Sequence, residues 1–149
     1  MEIGFKFDGI ETLVTRINGI SERLNNITPI APRIRDAFWL HEKQYLLSCG
    51  FGTFAPLKTG TLKNKKRGSD PRPFYGSSHP MVDSLTGQGP YTYYRATSTE
   101  VEVGVSTGPA HWHMAERKYM KARPPIKIMP ELVNKVAAVM GEYVFKGKA

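Results

Sequence analysis

Residues 52–90 constrain the fold more than any other stretch of the chain. They are rich in glycine and proline and show no apolar periodicity, neither the 3.6-residue repeat of a helix nor the alternation of a strand. A chain of 149 residues amounts to a single domain. Its core must therefore come from the flanks: a helical region at 8–48, a sheet region at 91–128 and a C-terminal helix at 130–145. A connection this long inside a compact domain is uncommon and usually functional. Six cations, Lys58, Lys63, Lys65, Lys66, Arg67 and Arg72, face the single acid Asp70 between positions 58 and 72. The segment is expected to be a long basic loop or arm, ordered by a partner.

On the N-terminal side, Ile10, Leu13, Val14, Ile17 and Leu24 recur at helical spacing. Asp8 and Glu11 have capping-box spacing, and Asn25-Asn26 closes the segment, which predicts an amphipathic helix over about 9–25. A second helix is expected after Thr28-Pro29, with Thr28 as its cap. Its apolar residues, Ile30, Ile34, Ala37, Phe38, Trp39, Leu40, Tyr45, Leu46 and Leu47, lie on several faces. Such a helix is buried on several faces, or meets a neighbouring subunit. Gly50 and Gly52 end it.

Beyond the loop, Tyr91–Thr97 is rich in strand-forming Tyr and Thr. Glu100–Ser106 alternates, with Val101, Val103 and Val105 on one face. With Ser98-Thr99 as the turn, the pair reads as a hairpin. Pro109–Lys118 reads as a short helix, and Ala122–Ile128 as extended because of Pro124 and Pro125. Pro130 opens a last helix with Leu132, Val133, Val136, Val139, Met140 and Tyr143 on its apolar side. The expected class is α+β: N-terminal amphipathic helices and a C-terminal helix packed on a small antiparallel sheet.

Chemistry is sparse. The single Cys49 excludes an internal disulfide framework and a cysteine zinc site. His111, His113 and Glu116 invite a metal, but His111 and His113 do not share a helix face, and HExxH is missing. No nucleophile elbow, phosphate loop or paired carboxylate stands out, so no enzyme activity, cofactor or metal is expected. No apolar run is long enough for a membrane span, and the first residues lack the pattern of a signal peptide.

The charge is the positive signal. Twenty-one Lys and Arg stand against 13 Asp and Glu, a net charge of +8. Lys63-Asn64-Lys65-Lys66-Arg67 could neutralise phosphates without reading bases, with Phe74 and Tyr75 nearby to stack. A merely solvated loop is the competing reading. A second basic cluster, Arg117, Lys118, Lys121, Arg123 and Lys127, suits an acidic protein surface as well as DNA.

The order of motifs resembles the virion-morphogenesis or tail-completion proteins of tailed bacteriophages, the small neck and connector proteins that join tail to head. The resemblance rests on Phe54-Ala55-Pro56-Leu57 followed by Thr61 and Lys65, then Met81-Val82-Asp83-Ser84-Leu85, Val103-Gly104, Pro109–His113 and Ala122-Arg123-Pro124 before the last helix. Phe54 stands where the family usually has Trp, and the segment at 81–85 lacks the family's internal glycine. The resemblance implies a structural virion protein at the head–tail junction, in the host cytoplasm during assembly. It implies a closed ring, expected to be a hexamer, that contacts neighbouring neck, connector or tail-tube proteins and surrounds genomic DNA without reading its sequence. Phe38, Trp39, Phe54, Pro56, Leu57 and Arg123 are the candidate subunit-interface residues, and the six loop cations are the candidate DNA or ring contacts. A small basic nucleic-acid-binding protein, acting as monomer or dimer, is the alternative. A metal-dependent nuclease using His111, His113 and Glu116 is a third.

Overall fold

The computed structural model describes residues 9–65, 70, 72–75, 80–106 and 122–149. The described elements are α1 (Ile10–Leu24), a one-turn 3-10 helix (Thr28–Ile30), α2 (Ala31–Leu47), α3 (Thr59–Asn64), α4 (Pro80–Leu85), the strands β1 (Thr92–Ala96) and β2 (Val101–Val105), and α5 (Pro130–Lys146). The chain is α+β, with five α-helices and one two-stranded antiparallel sheet among the described residues.

The long helices and the hairpin stand where periodicity puts them, but their ends differ from expectation. Gly9, in the left-handed conformation, caps α1 without a side-chain bond, and Asp8 lies outside the described residues. Thr28 does not cap α2. It enters the 3-10 turn, and the Asn26 carboxamide oxygen accepts from its backbone N–H at 3.2 Å. The extra turn lets Ile30 point fully inward before Ala31 and Pro32 start the α-helix proper. At the other end of the chain, Gly147 in the left-handed conformation returns its N–H to the Tyr143 carbonyl at 2.9 Å, which closes α5.

The stretch 52–90 is not the continuous loop that its composition suggests, because α3 and α4 interrupt it. Six-residue helices are too short to show a periodic signature and too short to persist alone. Packing holds α4: Val82 and Leu85 are buried, and a fully buried Leu contributes about 2 kcal/mol. The turn after α4 needs glycine at position 87. Its φ is +83°, and a Cβ there would lie 2.6 Å from the Trp39 ring.

In the hairpin Thr92 pairs with Val105, through to Ala96 with Val101. The Thr97 N–H reaches the Glu100 carbonyl at 2.8 Å, which closes the turn. All five residues of β2 are half-buried, so both faces of this strand are partly covered. A two-stranded sheet is marginal alone. This one is held between two apolar clusters. The first comprises Ile27, Ile30, Tyr143 and Val144, with Val101 packed against it; the second comprises Leu46, Tyr75, Val82 and Leu85, with Val105 packed against it. Helices α2 and α5 run antiparallel, with Arg33 bonded to Glu142 at 2.9 Å near one end and the His41 ring 3.2 Å from the Lys127 carbonyl near the other.

Candidate functional site

Two of the sequence motifs meet in space. The Arg123 guanidinium donates to the Ala55 carbonyl at 2.7 Å and to the Pro56 carbonyl at 2.9 Å, and the residue is only 7% exposed. Next to it the Tyr45 hydroxyl donates to the Pro124 carbonyl at 3.2 Å. Phe54 packs edge-on against Tyr45 (5.3 Å between ring centres) and Phe74 (5.4 Å). Arg123 therefore does not present its fork to a neighbouring subunit: it is turned inward, because the prolines around it hold the chain extended beside a loop whose carbonyls have no ladder to join. Phe54 belongs to the same internal cluster. Pro56 is exposed and Leu57 half-buried, so of this motif they remain the surface positions.

The basic segment divides in the same way. Lys58 and Lys63 are exposed at the two ends of α3. Lys65 is folded back: its ammonium donates to three carbonyls, those of Asp70 (2.6 Å), Arg72 (2.8 Å) and Tyr75 (2.6 Å). Arg72 chelates the Asp70 carboxylate through two nitrogens, donates to the Leu47 carbonyl at 3.2 Å, and lies 4.2 Å over the Tyr75 ring. Hydrogen bonds from Arg72 hold the Asp70 carboxyl down at about 2. Lys65 and Arg72 are thus structural cations and not free contacts for phosphate. The aromatics once available for base stacking serve the core, with Tyr75 buried and Phe74 against Phe54. Lys66 and Arg67 lie outside the described residues. Lys65→Met should cost about 2 kcal/mol, since three bonds from a charged donor are lost. Amide exchange at residues 72–75 should accelerate at least tenfold, and unchanged protection there would show that the ammonium does not hold the turn.

On α2, Phe38 and Trp39 are half-buried. Arg35 lies over both the Trp39 ring (4.7 Å) and the Tyr94 ring (5.2 Å), tying the helix to β1. The group missed by sequence reading is Glu42. It is fully buried, and neither carboxylate oxygen has a hydrogen-bond partner. Burial pushes its carboxyl up to about 8, and burial, together with the Glu42 charge, also raises the Tyr45 hydroxyl. A signal for it was present: Phe38, Tyr45 and Leu46 surround position 42 at helical spacings of four, three and four.

His79, His111, His113 and Glu116, the short helix expected over Pro109–Lys118, and the cations Arg117, Lys118 and Lys121 lie outside the described residues. Among the described residues no group of three or more His, Cys, Asp or Glu side chains is placed to hold a metal ion, and no helix is long and apolar enough to cross a membrane. Cys49 is half-buried, with φ of +53° in the turn that ends α2. Among the described residues, hollows of about 180–310 Å³ lie along α2. No protein-family model, curated protein or solved structure matches the chain.

Proposed function

We propose that the chain is a non-enzymatic structural subunit of a homo-oligomeric ring at the head–tail junction of a tailed bacteriophage. The ring joins tail to head beside neighbouring neck, connector or tail-tube proteins and lets DNA pass. The reading rests on the order of the motifs. The observation that carries it is the Arg123 bridge to Ala55 and Pro56, through which two motifs 67 residues apart form one internal joint. Motifs that act together in one structure make a stronger resemblance than motifs scattered over a surface. The hexameric count comes from the resemblance alone.

Particle imaging tests it. A label on the C-terminus, which the Gly147 cap leaves exposed, should appear as a ring between head and tail. Particles made without the chain should accumulate as separate heads and tails. Normal joined particles without it would overturn the reading. The contact surface is tested by Lys63, Lys66 and Arg67 changed together to Ser, with Lys65 kept because it holds the turn. The net charge of +8 supports a second reading as a nucleic-acid-binding monomer or dimer. It requires salt-dependent DNA binding by the isolated chain.

A further inference from the structure

Helix α1 begins as an arm that the described body leaves uncovered. Residues 11–18 are all exposed, the apolar Leu13, Val14 and Ile17 among them. Among the described residues, the ties to the body begin further along the helix. Ile20 packs on the first cluster, and the Arg23 guanidinium donates to the Val144 carbonyl at 2.8 Å. Gly19 stands where the free part meets the anchored part, and Asn18 precedes it as the one Asn-Gly pair of the sequence. Two helical turns without tertiary contacts are too short to persist in water, and a glycine inside the helix weakens it further. Fraying from the N-terminal end therefore reaches Gly19.

We propose that Asn18-Gly19 is a self-modification site, at which the frayed arm converts Asn18 to aspartate and isoaspartate. In the closed helix the reaction is blocked twice. The Gly19 N–H is directed at the Thr15 carbonyl, and the helical backbone holds that nitrogen away from the Asn18 side chain. Opening the turn removes both blocks. Among the described residues the Asn18 carboxamide has no hydrogen-bond partner to restrain it, and Gly19 has no side chain to crowd the approach. The Gly19 nitrogen gives its proton to hydroxide and attacks Cγ of Asn18. The N–Cγ bond forms, the Cγ–Nδ2 bond breaks, and Nδ2 leaves as ammonia with a proton taken from water. Water then opens the five-membered imide. Attack at Cγ gives aspartate; attack at the main-chain carbonyl gives isoaspartate, whose main chain runs through Cγ. One water enters, one ammonia leaves, and nothing is oxidised or reduced. The other four asparagines, Asn25, Asn26, Asn64 and Asn134, are followed by Asn, Ile, Lys and Lys, whose side chains crowd the attacking nitrogen.

The product carries one more negative charge. As isoaspartate it also adds a carbon to the main chain at the joint between arm and body. The four-residue ladder cannot run unbroken across that position, so Leu13, Val14 and Ile17 lose their register with Ile20. The change is one-way, and the state of the arm records the age of the chain. The inference goes beyond the ring reading and holds whether or not the chain is a ring subunit.

The test is to hold the full chain for days in neutral buffer, native and in guanidinium chloride, and then to map its tryptic peptides by chromatography and mass spectrometry. The peptide Ile17–Arg23 should gain one mass unit and split into aspartate and isoaspartate forms. The native rate should lie within about tenfold of the unfolded rate, because a frayed end opens at almost no cost. Gly19→Ala should slow the native reaction at least about tenfold, since alanine both crowds the nitrogen and favours the helix. A Cβ at position 19 meets only the tip of the Arg23 side chain, at 3.3 Å, so the variant should fold. A native chain that converts more than about tenfold slower than the unfolded one holds its arm closed, and the proposal fails. It fails equally if the first mass change appears at Asn64 or Asn134, or if Gly19→Ala converts as fast as the wild type.

Discussion

Between pH 5 and pH 8 the wild-type chain should lose about 3 kcal/mol of folding stability, and the Glu42→Gln chain should lose almost none of it. Glu42 is fully buried without a partner, and its carboxyl titrates at about 8 in the fold against 4.5 when free. Below pH 4.5 both folded and unfolded chains hold the proton, and no penalty exists. As pH rises further, the unfolded chain releases the proton first, so deprotonation favours unfolding until the folded group follows near pH 8. Each unit of separation is about 1.4 kcal/mol. For a chain of this length the loss should appear as a fall of about 10 °C in melting temperature between the two pH values. The measurement is thermal unfolding across that range for both chains. Equal slopes would show that Glu42 is ionised or solvated in the native state. Glu42→Met should also raise stability at pH 8, since an apolar side chain there carries no buried charge.

Arg123→Ala should destabilise the chain by about 4 kcal/mol. The buried guanidinium's bonds to the Ala55 and Pro56 carbonyls are lost, and each bond from a charged donor is worth about 1.5–3 kcal/mol before the vacated space is counted. Arg123→Lys should recover less than half, because a single ammonium cannot reproduce the planar fork that reaches both carbonyls. Denaturant unfolding of the two variants reads the difference. If Arg123→Ala were as stable as the wild type but failed to assemble, the side chain would belong to an interface after all.

The parts of the fold visible in the sequence are those whose signal is local and repeated. Helix α1, helix α5 and the hairpin each carry several turns or alternations of apolar residues, and each stands where it was expected. The rest depends on backbone acceptors, which no side-chain pattern encodes. Lys65 looked like a solvent cation because its neighbours Lys63, Lys66 and Arg67 are cations. Its three partners are carbonyls supplied by residues 70, 72 and 75, which become acceptors only once the chain has turned. Arg123 was hidden for the same reason. Its sequence neighbours Ala122 and Pro124 suggest a fixed approach to α5, but nothing in them names Ala55 or Pro56. Helix α4 was missed because its six residues hold only two fully committed core contacts, Val82 and Leu85. Glu42 was legible in principle from the apolar residues around it, and the charge between His41 and Lys43 obscured that position.

Among the described residues the two apolar clusters share no buried residue, and α2 and β2 are two of the segments that run from one to the other. One is α2, from Ile34 at the first cluster to Leu46 at the second, about 18 Å along the helix axis. The other is β2, from Val101 to Val105, about 13 Å along the strand. A load applied at the N-terminal arm reaches the loop-bearing half through these struts among others. Neither half can swing freely while both hold. Loosening one strut, for example by breaking the hairpin pairing, should weaken the coupling between the two halves, so that one begins to open before the other.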